Sequence, residues 1–180
     1  MLELTIDDTS LWDPKTERFY DLKGQTLVLE HSLVSLSKWE EKWHKPFFTS
    51  NALTNEEIID YIRCMTVNRN VDPLVYNCLT DAQFKAIEEY IADQHTATWF
   101  SNSAKEYGPK TIITAERIYH LMFAYGIDKD CEKWHLNRLL TQIRVEYEES
   151  KPKKKQSKRE LADHHRALNA ARRKAKAGRH

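Results

Sequence analysis

Apolar residues change their spacing along this chain, and the changes mark its elements. At the front Leu2, Leu4 and Ile6 alternate with Glu3 and Thr5, the two-residue period of a strand with one buried face. The stretch "DDTSLWDP" is rich in turn formers. "ERFYDLKGQTLVLE" then reads as two strands around Lys23-Gly24, with Gly24 supplying a positive φ at the turn. These runs predict a small antiparallel sheet of two or three strands.

The period lengthens at "SLVSLSKWEEKW", where Leu33, Leu36, Trp39 or Glu40, and Trp43 fall on one helical stripe, ended by Pro46. "TNEEIIDYIRCM" opens with a capping box of Thr54 and Glu57 and carries an apolar face of Ile58, Tyr61, Ile62 and Met65. "NRNVDP" interrupts the pattern. "TDAQFKAIEEYIAD" repeats the box with Thr80 and Gln83 and is expected to bury Phe84, Ile87, Tyr90 and Ile91. "TATWF" suggests a short strand and "SNSAKEYGPK" a loop. Two more helices follow. The first, in "TAERIYHLMFAYG", has Ile118, Leu121, Met122 and Tyr125 inward and Gly126 at C′. The second, in "DCEKWHLNRLLTQIRVEYEES", has a stripe of Leu136, Leu139, Leu140, Ile143 and Tyr147.

After "KPKKKQ", a charged linker, "SKRELADHHRALNAARRKAKAG" begins with a third capping box, Ser157 and Glu160. Its helix propensity is high, but it offers only Leu161, Ala162 and Leu168 for burial, so it is expected to stay frayed or disordered until a partner holds it. The predicted class is α+β. A small N-terminal antiparallel sheet packs on a mainly helical body of about five helices over residues 1–150. Residues 151–180 form a basic tail that is helical or disordered.

Charge sharpens that division. Twelve of the 28 Lys and Arg but two of the 27 Asp and Glu fall in residues 151–180, leaving +10 there and −9 before it. Such asymmetry marks an interaction tail. All five Trp, eight Tyr and six Phe precede Ser150, so the tail has no aromatics with which to build a core. Cys64, Cys78 and Cys131 are odd in number and lack C-x-x-C spacing, which suits reduced thiols in a cytosolic protein. The apolar runs fall well short of the ~18 residues of a membrane span. "MLELTIDDTS" has neither the basic start nor the apolar stretch of a signal peptide.

Chemistry needs grouped side chains, and none is visible. His31, His44, His95, His120 and His135 are scattered, and His164-His165 is a lone pair. There is no H-E-x-x-H, Gly-rich phosphate loop or G-x-S-x-G. No catalytic, cofactor or metal residue is therefore assigned. His120 and His135 read as core-edge histidines with satisfied hydrogen bonds. Trp39 and Trp43, one helical turn apart in "KWEEKWHKP", read first as packing residues and second as a patch for a protein partner. The tail fits a solvated charge run, a nucleic-acid contact through its twelve cations, or a helix that folds on a protein partner. Nucleic acid is the less favoured of the binding readings, because the tail has no aromatic to stack a base.

Three stretches, "LEHSLVSLSKWEEKWHKPF" followed by "YIRCMT", "KWHLNRLLTQIRV", and the terminal "RALNAARRKAKAG", together with "LTIDD" at the start, resemble the tail assembly chaperones of tailed bacteriophages. The resemblance runs across most of the chain. It implies a non-enzymatic factor without cofactors, active in the host cytoplasm during infection and absent from the mature virion. Such chaperones bind the tape measure protein, a very long helical chain, and keep it soluble while tail-tube subunits polymerise around it. Some relatives also yield a longer product by frameshifting. On this reading the partners are the tape measure protein, the tube protein and further copies of the chain. The expected contact residues are Trp39, Trp43, Leu168, Arg172 and Arg173. The alternatives are a small nucleic-acid-binding or regulatory protein that uses the basic tail, and a structural tail or head-tail component retained in the virion.

Overall fold

The structure, a computed structural model, describes residues 1–13, 17–48, 52–100, 112–151 and 166 of the 180-residue chain. The chain divides into two units, Met1–Tyr147 and Glu148–His180. Of the second, residues 148–151 and 166 are described. The capping box expected at Ser157, the pair His164-His165, and Leu168, Arg172 and Arg173 all lie outside the described residues. So does the loop expected in "SNSAKEYGPK".

The described elements are β1 (Leu2–Ile6), β2 (Thr9–Asp13), β3 (Arg18–Leu22), β4 (Gln25–Leu29), α1 (Leu33–Trp43), α2 (Asn55–Met65), α3 (Asp81–Ala92), α4 (Ala115–Ala124) and α5 (Leu136–Ser150). Short 3₁₀ turns lie at Pro73–Cys78 and Lys129–Lys133. The class is α+β, as the periodicity predicts.

The front sheet pairs differently from the expectation. β1 runs antiparallel to β4, from Leu2↔Leu29 to Ile6↔Gln25, and β2 to β3, from Thr9↔Leu22 to Asp13↔Arg18. One register carries through both ladders, so the four strands are two halves of a single long hairpin, interrupted at Asp7-Asp8 and Lys23-Gly24. The chain reverses between β2 and β3, beyond the stretch read as turn-rich, most of which is β2 itself, and β3 does not pair with β4. Nor does Gly24 have a positive φ; among the described glycines that belongs to Gly126 (φ 67). Position 24 requires space instead. A Cβ there would stand 2.8 Å from the Ile6 carbonyl oxygen and 3.1 Å from Asp8 Oδ1, and the Gly24 amide donates to that carboxylate at 2.6 Å. The glycine permits the close crossing that joins the two halves.

Two apolar clusters flank α1. Leu4, Ile6, Leu27 and Leu29 of the β1–β4 half pack with Trp39, Tyr61, Ile62, Met65, Val75, Tyr76 and Ile87. On the other side Leu33 and Leu36 pack with Ala115, Ile118, Met122, Cys131, Leu136, Leu139 and Ile143. Each fully buried Leu contributes on the order of 1.5–3 kcal/mol by leaving water. One helix can serve both clusters because it buries two faces. Leu33, Leu36 and Trp39 are sealed, and Glu40 beside them is also buried. The Glu40 carboxylate survives there by accepting from two backbone amides, Phe47 at 2.8 Å and Ala115 at 2.7 Å. Ala115 is the first residue of α4, so the anion also sits at a positive helix end. Glu40 thereby ties the segment after α1 to α4.

Local signals set the helix ends. Thr54–Glu57 and Thr80–Gln83 both form the reciprocal capping box. A third box, Ser32–Ser35, starts α1. α1 stops at Trp43 because His44 takes the left-handed conformation (φ 52) and its amide bonds Glu40 O at 2.8 Å. Pro46 lies two residues further on. Gly126 follows the C-cap Tyr125 of α4 in the expected C′ role. Other expectations fail: of the α3 residues expected to be buried only Ile87 is, while Phe84, Tyr90 and Ile91 are half-buried against the same cluster. Residues 96–100 form no strand. The last helical pattern begins as the 3₁₀ turn Lys129–Lys133 before α5, and Tyr147 at the far end of its stripe is exposed.

Candidate partner-binding surfaces

Trp39 and Trp43 divide between core and rim. Trp39 is wholly buried and its indole Nε1 donates to Glu57 O at 3.0 Å, locking α1 onto α2. Phe47 and Tyr61 crowd its ring edges, with centroids at 5.2 and 6.5 Å. That is a structural position, with no face left for a partner. Trp43 is half-buried; its Nε1 donates to Asp60 Oδ2 at 2.9 Å, while Lys42 holds the other oxygen. Lys45 pairs with Glu57 and lies over both indoles, 5.7 and 5.8 Å from the ring centroids. The Lys45 hydrogen bond, followed by the Thr54 amide, holds the Glu57 carboxyl below the usual range. The edge of Trp43 is therefore committed to a charged lattice between α1 and α2.

A second grouping went unread in the sequence. His31, at the end of β4, His135, just before α5, and His95, after α3, stack in contact. Ring centroids are 5.1 Å apart for His31–His135 and 4.0 Å for His95–His135. His31 Nδ1 and the Tyr61 hydroxyl are hydrogen-bonded at 2.6 Å. His135 Nε2 donates to Tyr90 O at 3.0 Å, which leaves Nδ1 as the bare acceptor, buried without a partner among the described residues. The core-edge reading of His135 is thus half right: one nitrogen is satisfied and the other is not. Burial and then the neighbouring His135 lower the His31 pKa to about 4. Burial and then His95 lower that of His135. Both rings are neutral at pH 7. Tyr90 donates its hydroxyl to Glu30 at 2.8 Å, and burial pushes the Tyr90 and Tyr61 hydroxyls well above their ordinary range. His120, by contrast, is exposed on α4.

An open groove of about 600 Å³ lies between α2 and α3. Asn55, Ile58 and Ile59 form one bank and Asp81, Phe84, Lys85 and Glu88 the other. Sequence periodicity places Ile58 on the buried stripe of α2. The structure buries Tyr61, Ile62 and Met65 there but leaves Ile58 37% exposed. Among the described residues the other exposed aromatics are Trp12, Phe19 and Tyr20 on β2 and β3, Phe48 after α1, Trp99 after α3, Phe123 on α4 and Tyr147 on α5.

Among the described residues no group of three or more His, Cys, Asp or Glu is placed to hold a metal ion. The three cysteines are free, and burial raises the pKa of each, that of Cys64 to about 11. None is therefore poised as a thiolate. No helix among the described residues is long and apolar enough to cross a membrane. Comparison with protein-family models, curated proteins and solved structures finds no match to this chain.

Proposed function

We propose that the chain is a non-catalytic tail assembly chaperone of a tailed bacteriophage, which binds the tape measure protein in the host cytoplasm and keeps it soluble until the tail tube encloses it. The observation that carries the reading is the α2–α3 groove, with its apolar floor of Ile58, Ile59 and Phe84 beneath an exposed polar rim. A long amphipathic client awaiting assembly presents apolar stripes that aggregate if uncovered. A groove of this kind covers part of a stripe and turns a polar rim to water. The charge division between residues 1–150 and 151–180 supports a factor that works by contact with other polymers. The sequence resemblance points the same way.

Co-expression with the tape measure protein tests it: the soluble fraction of the client rises with the full chain, and truncation after Ser150 weakens that effect. No change in client solubility with the full chain sinks the proposal. The twelve Lys and Arg of residues 151–180 favour one competing reading, electrostatic binding of nucleic acid. DNA or RNA retention that falls steeply with salt and disappears on removing those residues would establish it instead.

A further inference from the structure

We infer that the α2–α3 groove receives about two turns of a basic amphipathic helix from a partner polypeptide, held by apolar residues at helical spacing between flanking Lys or Arg. The inference rests on the chaperone reading for its biological setting and on the groove for its chemistry.

Each bank is a stripe at helical spacing. Asn55, Ile58 and Ile59 stand at i, i+3 and i+4 on α2, and Asp81, Phe84, Lys85 and Glu88 at i, i+3, i+4 and i+7 on α3. The α3 bank therefore runs about 10 Å, two helical turns at 1.5 Å per residue. A third helix laid along it can place residues i, i+3 or i+4, and i+7 on the floor, the arrangement by which amphipathic helices dock in grooves. The floor is ready for this. Ile59 and Phe84 are half-buried and continuous with the core beneath, while Ile58 is exposed. The polar lining argues against a small polar ligand. Asn55, Asp81, Lys85 and Glu88 are all exposed at the rim, so no buried polar group points at the floor to orient one.

The rim sets the sign of the occupant. Lys85 is engaged by Glu89 on its own helix at 4.0 Å, whereas Asp81 and Glu88, one at each end of the α3 bank, have no ion-pair partner among the described residues. A helix with Lys or Arg flanking its apolar stripe neutralises both ends. An acidic helix meets two uncompensated carboxylates, and like-charge juxtaposition is the stronger discriminator.

Two fluorescein-labelled synthetic helices test this by anisotropy against the full chain. Both carry Leu at i, i+3, i+4 and i+7, and they differ in having Lys or Glu at the flanking positions. The Lys peptide is expected to bind at least tenfold more tightly than the Glu peptide, with affinity falling as salt rises. Ile58→Asp lowers Lys-peptide affinity at least tenfold; because Ile58 is exposed, the thermal midpoint of the chain stays in place, and Phe84→Ala serves as a second floor variant. Asp81→Lys with Glu88→Lys reverses the preference between the peptides. Equal affinity for both peptides, or Lys-peptide binding unmoved by Ile58→Asp and the charge reversal, overturns the assignment.

The co-expression assay separates this failure from that of the chaperone reading. If Ile58→Asp solubilises the client as well as the unmodified chain, the groove is wrong and the chaperone stands. If the unmodified chain does nothing for the client yet binds the Lys peptide through Ile58, the groove stands and the chaperone falls.

Discussion

The two halves of the N-terminal hairpin share one register and have opposite surroundings. In the β1–β4 half Leu4, Ile6, Leu27 and Leu29 all face the core, and the segment after α2 adds to its edge through Val67 N to Val28 O at 2.8 Å and Glu30 N to Met65 O at 2.9 Å. In the β2–β3 half only Leu22 is buried among the described residues; Trp12 and Phe19 pair across the strands and stand 50% and 67% exposed. Pairing is therefore a local property of the hairpin, whereas stability comes from what the helices cover. A two-stranded ladder is marginal alone, so the covered half anchors the other.

The comparison breaks most sharply at Leu29. It is fully buried between the hairpin and α2, and Leu29→Ala should cost roughly 2–5 kcal/mol in urea unfolding of the full chain. A loss under about 1 kcal/mol would show that the helices do not depend on this half.

Next in size is a pH effect at the foot of the covered half. His31 titrates near pH 4 in the fold against 6.5 when free. As pH falls from about 6.5 the unfolded chain takes up a proton that the folded chain refuses, so stability drops through that window until the folded ring protonates near 4. The full difference amounts to roughly 3 kcal/mol, and the lowered pKa of His135 adds in the same direction. Urea midpoints measured at steps between pH 7 and pH 4 should fall accordingly, and His31→Gln should flatten most of the slope. An unchanged slope in that variant would place the titration elsewhere, with His135 the next group to examine.

Between the halves sits Gly24. A methyl group there meets the Ile6 carbonyl at 2.8 Å, so Gly24→Ala must shift backbone and should cost about 1–3 kcal/mol. Hydrogen exchange sharpens the comparison: amides of β2 and β3 should lose protection more than those of β1 and β4. Uniform loss would mean that the crossing is not a boundary.

What the sequence made legible follows the range of each interaction. The capping boxes at Thr54 and Thr80 lie within four residues and could be read directly, as could the C′ role of Gly126. The choice of Trp39 or Glu40 for the stripe of α1 was undecidable, because α1 buries both, and Glu40 finds its amides at Phe47 and, 75 residues away, at Ala115. The pairing of Leu2 with Leu29 was lost to a nearer candidate, since Lys23-Gly24 has the composition of a turn and the steric demand at Gly24 depends on Ile6 and Asp8. The histidine stack joins the end of β4, the residue before α5 and the segment after α3, and no spacing announces that. The groove needed two helices in place before Ile58 could be seen as a surface residue.

The smallest effect belongs to the exposed half. Trp12 and Phe19 touch with centroids 4.9 Å apart, a cross-strand pair contributing roughly 0.5–1 kcal/mol. Trp12→Ala removes that contact and little else, because half of the indole already faces solvent. Global unfolding should move by less than about 1 kcal/mol, while exchange at β2 and β3 accelerates and that at β1 and β4 holds. The loss is confined because the pairing of β1 with β4 draws its energy from Leu27, Leu29 and the helices beneath. A cost as large as that of Leu29→Ala would mean that Trp12 and Phe19 are covered in solution, with a second chain the nearest source of cover. Sedimentation at two protein concentrations would then detect that chain, and the exposed half would have to be treated as an interface.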